Sequence, residues 1–400
     1  MRKLLFIILL LPIFIVIGCA QNSNDASINQ ESEEPEAMSP EPIMSSTPEP
    51  TPPQQLAPEP TPEPTPEPTL EPTPEPPPEP PPEPMRFGFI DAHADTPSRV
   101  LALNPQNRSM LNNPELHVDF NRLSEFEAPV QVFVAWCPSA HVDRAFDYTN
   151  LMFDLLEQEI EKHKDLIEIA LDLDDIRRIA GQGKISAVLS IEGGEALMGR
   201  MENLEHFYNR GVRILGLTWN RENELGFGHA TGSTPGLKPF GIEVIRRMDE
   251  LGMIVDVSHL NEAGFWDVHN NSTRPYMASH SNARAVLEHG RNLKDDQILA
   301  IVESGGIIGF NMYPPFISTN NRTTVDDIMK HFHHFIEIGA GNHIGLGCDF
   351  DGIDETPIGI TNVSSLKMFQ EALSEEFGED TALGIMERNF YEFFKRYFEG

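Results

Sequence analysis

Five short apolar runs lead straight into residues that bind metals or move protons. The run 87–92 opens onto His93-Ala94-Asp95, 185–191 stops at Glu192, and 253–258 stops at His259. The run 276–279 stops at His280, and 344–348 stops at Asp349. Imidazoles and carboxylates are the donors that suit zinc and similar divalent cations. Far apart in sequence, these groups would converge if the runs were parallel strands of one barrel, because such barrels carry their chemistry at the strand C-termini. The pattern predicts a metallohydrolase site.

Position rather than composition singles these residues out. With 14 histidines and 62 acids in 400 residues, a histidine two places before an acid arises by chance about twice, and the chain also has His117-Val118-Asp119, His141-Val142-Asp143 and His163-Lys164-Asp165. Only His93 and Asp95 follow a strand-like run, where side chains at i and i+2 point the same way and can share a metal. The other three triplets read as loop or surface groups. Glu192 precedes Gly193-Gly194 and could bridge two cations, while His259 and His280 could supply imidazole to a second. Asp349, in Gly347-Cys348-Asp349-Phe350-Asp351-Gly352, can take a proton from a metal-bound water and hand it to a leaving amine. His331, His333 and His334 fall inside a helical pattern over 324–338 and read as helix surface.

Positioning such groups requires a regular frame. Eight apolar runs follow Met85: 87–92, 130–136, 185–191, 213–218, 253–258, 276–279, 305–310 and 343–348. Amphipathic helical patterns lie between most of them, such as 148–162, 239–251 and 324–338. Strand and helix alternating in this way predict a parallel α/β fold, and eight strands predict closure into a TIM-like (β/α)8 barrel. An open doubly wound sheet is the alternative, but no glycine-rich phosphate loop follows the first strand. The segment 381–398 reads as a final helix with aromatics on one face, packed on the barrel. Cys137 and Cys348 lie in strand-like runs and read as buried free thiols.

The first 85 residues are of another kind. Met1-Arg2-Lys3, an apolar stretch from Leu4 to Ile17 and then Gly18-Cys19 predict a signal peptide over 1–18, too short to span a membrane comfortably. Val16-Ile17-Gly18-Cys19 resembles a bacterial lipobox, which makes Cys19 the lipidation site and predicts an exported protein anchored on the outer side of the cell membrane. Residues 19–85 are polar and then a Pro-Glu-Pro-Thr repeat with no apolar face, a composition that stays disordered and favours polyproline II. Fully extended, 36–84 would reach on the order of 150 Å. That suits a tether between a lipid anchor and a catalytic domain over 86–400. Of the formal charge of −33, residues 20–84 carry −14 and Arg2 and Lys3 carry +2, which leaves −21 for 85–400. This acidity argues against nucleic acid or anionic lipid as a partner and fits a membrane association through the anchor alone.

The same residues, in this order, resemble the membrane (renal) dipeptidase family of zinc peptidases. The matching segments are Ile90-Asp91-Ala92-His93-Ala94-Asp95, Ser190-Ile191-Glu192-Gly193, Gly211-Val212-Arg213 through Leu217-Thr218, Val255-Asp256-Val257-Ser258-His259, Ser279-His280-Ser281, Arg291-Asn292 and Gly347 to Gly352. The resemblance implies two zinc ions, or other divalent metals, at the mouth of a TIM-like barrel. His93 and Asp95 would hold one, His259 and His280 the other, and Glu192 would bridge them. It also implies cleavage of a small peptide by a metal-bridging hydroxide, with Asp349 as the acid/base. Arg291 would bind the substrate's terminal carboxylate, with Arg284 as the nearer competitor. One departure stands out: mammalian members place a histidine after Leu-Thr, where this chain has Trp219, and His229 lies ten residues on. The resemblance allows a homodimer. Two rival functions share the scaffold: a metal-dependent amidase, lactonase or β-lactam hydrolase, and a surface solute-binding protein without catalysis.

Overall fold

The computed structural model describes residues 85–399. The signal peptide, Cys19 and nearly all of the tether fall outside these residues. Nine parallel strands form one sheet: β1 (Ile90–Ala94), β2 (Val130–Trp136), β3 (Ile167–Ile169), β4 (Ile185–Glu192), β5 (Val212–Gly216), β6 (Ile254–Asp256), β7 (Met277–Ala278), β8 (Ile307–Phe310) and β9 (Ile344–Leu346). The order runs β2-β1-β9-β8-β7-β6-β5-β4-β3, and pairing of β2 with β4, from Val130↔Ser186 to Trp136↔Glu192, closes the ring. Eight strands therefore make a closed barrel, and they coincide with the eight apolar runs read from the sequence. The ninth, Ile167-Glu168-Ile169, pairs with the start of β4, on the edge that β5 takes over further along. Three residues with an acid at the centre leave no apolar run to notice.

The helices 148–162, 239–251 and 324–338 expected from periodicity are found at Ala145–Lys162, Pro239–Leu251 and Val325–Glu337. Two expectations need correction. The tail is not one helix but three pieces, Glu379–Leu383, a π-helical turn Gly384–Arg388, and Asn389–Glu399, because a wider turn interrupts the α-helical pattern. His331 is fully buried rather than on the helix surface, accepting from the Ala283 N–H at 3.2 Å and meeting the Ile317 carbonyl at 2.9 Å. His333 and His334 do lie on the outer face, paired with Glu376 and Asp295. Cys137 and Cys348 are buried free thiols, as expected. Among the described residues no helix is long and apolar enough to cross a membrane.

Alternation along the strands builds two cores. Outward residues such as Phe133, Leu189, Leu215, Val255, Ile308 and Leu346 pack against the surrounding helices. Inward residues, among them Val130, Val132, Val134, Val188, Ile214, Ile254, Met277 and Ile307, fill the barrel together with Phe390, Phe393, Phe394 and Tyr397 of the last helix. The aromatic face of that helix thus seals one end of the barrel. The opposite end carries the polar residues.

β1 departs from simple alternation, and the site depends on it. Ile90 and Ala92 belong to the inner core, whereas Asp91 faces Gln131, which donates to it at 2.9 Å. Between Asp91↔Gln131 and Ala94↔Phe133 the register slips by one residue, the mark of a β-bulge. The extra residue switches the strand's parity, so that His93 and Asp95 turn toward the axis.

Candidate metal centre

Each ligand stands on a strand end that is itself fastened. Beyond the ladder, the Asp349 N–H donates to the His93 carbonyl at 3.0 Å and the Asp95 N–H to the Phe350 carbonyl at 2.8 Å. Buried Asp91 accepts from the Cys348 N–H at 2.8 Å, so β1 and β9 deliver their acids in fixed relation. Asp349 and Asp351 both adopt left-handed backbone conformations, with φ of 61° and 67°. Such strain persists where surroundings enforce it. Gly352 follows, and a Cβ there would lie 2.2 Å from Asp95 Oδ2 and 2.7 Å from Asp349 Oδ1. Any larger residue there would push both carboxylates out of place.

At the mouth the side chains converge on Glu192. Its Oε1 lies 2.7 Å from His259 Nε2, 3.3 Å from His280 Nε2 and 3.8 Å from His93 Nε2. His93 Nε2 is also 3.4 Å from Asp95 Oδ2, and His259 and His280 face each other Nε2 to Nε2 at 2.9 Å. Three ligand triads lie within 4.8 Å: His93, Asp95 and Glu192; Glu192, His259 and His280; and His93, His280 and Asp349. The first two are the division drawn from the sequence, with Glu192 common to both. All six residues predicted for metal binding or proton transfer are thus brought together.

The electrostatics fit cations. His93 Nε2 and Asp95 Oδ1 are buried without a hydrogen-bond partner, a costly condition unless something else satisfies them. Burial pushes the pKa of Glu192 up, and it holds Asp95 at about 6 and Asp349 at about 7, the latter aided by the charges of Asp95 and Glu192. Burial keeps His259 and His280 well below the usual imidazole range. It disfavours a charged His93 too, yet Asp95 and Glu192 outweigh it and raise that ring to about 10. A proton on His93 is the positive charge this cluster of acids demands. Divalent cations would displace it, since metal binding requires the neutral ring and releases protons.

The chain matches the family model of membrane dipeptidases, peptidase family M19, over residues 85–397. It belongs to the membrane dipeptidase family. Membership makes it a metal-dependent dipeptidase and bears out the resemblance read from its motifs. An uncharacterized dipeptidase of Schizosaccharomyces pombe is 32% identical over 298 residues, 69% of this chain and 71% of the relative. A metallo peptidase from Rhodobacter sphaeroides, solved with a phosphinate mimic of the dipeptide L-Ala-D-Ala, superposes with a TM-score of 0.72 at 27% identity, covering 78% of this chain and 99% of that one. The solved dipeptidase AC, a metallo peptidase, gives 0.73 at 28% identity, with 78% and 99% coverage.

A cleft of about 700 Å³ opens above the cage. Trp219 lines it, its ring 4.9 Å from Trp136 and 6.3 Å from His259. His229 lines it too, but Nε2 is tied to Asn220 Oδ1 at 2.9 Å and the ring stays 6.4 Å from His259. Arg291 is buried beneath the wall. It donates to the carbonyls of Ser258 and His280, its Nε has no partner, and its guanidinium lies 5.6 Å over the ring of Phe316, which lines the cleft. Arg284 is spent on the carbonyls of His289, Gly290 and Asn292, and neither arginine is among the residues lining the cleft, Arg291 lying behind Phe316.

Sequence reasoning missed the residues that hold the ligands. Asp256 and Ser258 sit three residues and one residue before His259, Ser279 directly precedes His280, Asn220 directly follows Trp219, and Asn311 donates to Asp349 Oδ2 at 2.9 Å. Adjacency to a histidine at a strand end was the available signal for Ser258 and Ser279, and Asp256 had its place at the end of β6. Asn311 had only its place at the end of β8.

Proposed function

We propose that this domain cleaves dipeptides with two divalent cations, one held by His93, Asp95 and Glu192 and the other by Glu192, His259 and His280. The observation that carries the reading is that Glu192 belongs to both triads. Mixed imidazole and carboxylate donors suit zinc. Bound there, such cations supply Lewis acidity toward the peptide carbonyl and lower the pKa of water.

The protein's own groups carry the rest. Asn311 ties up Oδ2 of Asp349, which leaves Oδ1 to accept a proton from the attacking water and pass it to the leaving amine. In the metal-free chain burial holds that carboxyl at about 7, within reach of proton gain as well as loss. Trp136 and Trp219 wall the cleft and exclude water from the scissile bond. Arg291, through its free Nε, is our assignment for the substrate's terminal carboxylate. The mimic of L-Ala-D-Ala held by the Rhodobacter sphaeroides relative supports a small dipeptide as substrate and D-residues at its second position. We further assign Cys19 as a lipidated N-terminus that anchors the protein outside the cell membrane.

The test is metal analysis joined to a substrate panel. The domain is expected to bind close to two zinc ions per chain, to lose turnover to a chelator, and to recover it with added zinc on dipeptides but not on lactones or β-lactams. Full activity with a single metal per chain would sink the two-cation reading.

A further inference from the structure

Beneath the ligands lies a polar layer whose hydrogens are fully committed. The Asp256 carboxylate accepts four hydrogen bonds: Oδ1 from the Ser258 N–H at 3.0 Å, the Ser258 hydroxyl at 2.6 Å and the Ser279 N–H at 2.8 Å, and Oδ2 from the Ser279 hydroxyl at 2.5 Å. A hydroxyl has one hydrogen and two lone pairs. The Ser279 hydrogen goes to Asp256, so toward the ring nitrogens Ser279 Oγ can only accept, and its 3.2 Å contact with Ser258 Oγ carries no hydrogen because that hydroxyl also donates to Asp256. Two ring nitrogens lie within its reach: His280 Nδ1 at 2.7 Å and His93 Nδ1 at 3.0 Å. Ser258 does not compete for them, because its own hydrogen is spent on Asp256 and no ring nitrogen bonds to it.

We infer that Ser279, oriented by Asp256, is the positioning residue that sets the tautomer of one histidine in each metal site at once. Accepting N–H from Nδ1 of both His93 and His280 reserves both Nε2 atoms, which lie toward Glu192, for a metal, on His93 once the cation displaces the proton there. Ser279 cannot drift from this duty. A Cβ added at Gly309 or Gly347 would come within 1.9 or 1.8 Å of the Ser279 carbonyl, so the two glycines let the neighbouring strand ends clamp it. The third histidine is set separately, its Nδ1 meeting Asn220 Oδ1 at 2.8 Å. The two sites therefore share one hydroxyl as well as one carboxylate. This rests on the two-cation reading above.

The experiment titrates metal-free full-length protein with zinc against a chromophoric chelator, for the wild type and for Ser279→Ala, Ser258→Ala and Asn220→Ala. Wild-type binding of fewer than two zinc ions would remove the two-cation reading itself and be recognised as such. With two bound, Ser279→Ala is expected to weaken both steps at least about tenfold, the scale on which a ligand's supporting partner acts. Asn220→Ala should weaken one step only, and Ser258→Ala, which strips a buried hydroxyl from the same carboxylate, should weaken neither as much. Loss at a single step in Ser279→Ala, or equal losses in Ser279→Ala and Ser258→Ala, would overturn the proposal. A second measurement needs no variant. In zinc-loaded, ¹⁵N-histidine-labelled wild type, His93 and His280 should both show Nδ1–H with Nε2 on the metal, and Nε2–H on either ring would refute the assignment.

Discussion

Asp349 is the residue on which two demands meet. Its backbone is held in the left-handed region and its carboxyl is buried among acids, so the fold bears both costs at one position. Asp349→Asn keeps the shape and the Asn311 contact but removes the proposed proton carrier. We expect kcat to fall at least about a hundredfold with metal content unchanged, measured by steady-state kinetics and metal analysis on the same sample. Wild-type turnover would move the proton shuttle elsewhere. Arg291 and Trp219 should separate by substrate. Arg291 also fastens the carbonyls of Ser258 and His280, so Arg291→Ala will disturb the ligands to some degree for every substrate. Comparing a dipeptide with its C-terminal amide in that variant isolates the carboxylate contact, for which we expect about 2–4 kcal/mol in kcat/KM. Trp219→His should broaden the range of dipeptides accepted, read as kcat/KM across a panel. An unchanged panel would mean that the indole does not meet the substrate.

At the scale of elements, the helix Val325–Glu337 shows how a supporting piece can fix the cleft without entering it. Its His331 is tied to the backbone at Ala283, just past His280, and at Ile317, beside the cleft residue Phe316. Burial lowers the pKa of this ring from the ordinary 6.5 to about 4. Above pH 6.5 the ring is neutral in both the folded and the unfolded chain. As pH falls below 6.5 the unfolded chain takes up the proton first, so stability is lost progressively until about pH 4, to a total of roughly 3 kcal/mol from this group. Chemical denaturation of the metal-free protein at several pH values, compared with His331→Asn, should show a smaller loss across that window in the variant. Parallel pH dependence in the two proteins would assign the slope to other groups.

For the whole molecule, the barrel places its chemistry and its hydrophobic seal at opposite ends. Phe390, Phe393, Phe394 and Tyr397 close one end, and the cage opens at the other. The six clustered candidate residues lie within 93–349, far in sequence from Cys19. Cys19→Ser is therefore expected to move the protein from the membrane to the soluble fraction with specific activity unchanged, checked by fractionation and assay. Retention at the membrane after normal signal cleavage would point to another anchor.

The sequence by itself determined the eight barrel strands and the six residues of the cage, for a physical reason. Buried parallel strands are short unbroken apolar runs, and a metal ligand at the end of such a run has no solvating neighbours to explain it. What tertiary structure decided is what depends on contacts between runs. The bulge that turns His93 and Asp95 inward is a mismatch between β1 and β2, invisible in either alone. The strand at Ile167–Ile169 forms because an edge of β4 is free to receive it. His331 looked exposed by its helical position, but two backbone groups from other segments enclose it. Ser279 is the clearest case: a serine beside a histidine carries no message until folding brings Asp256, His93 and His280 within hydrogen-bonding reach of one hydroxyl.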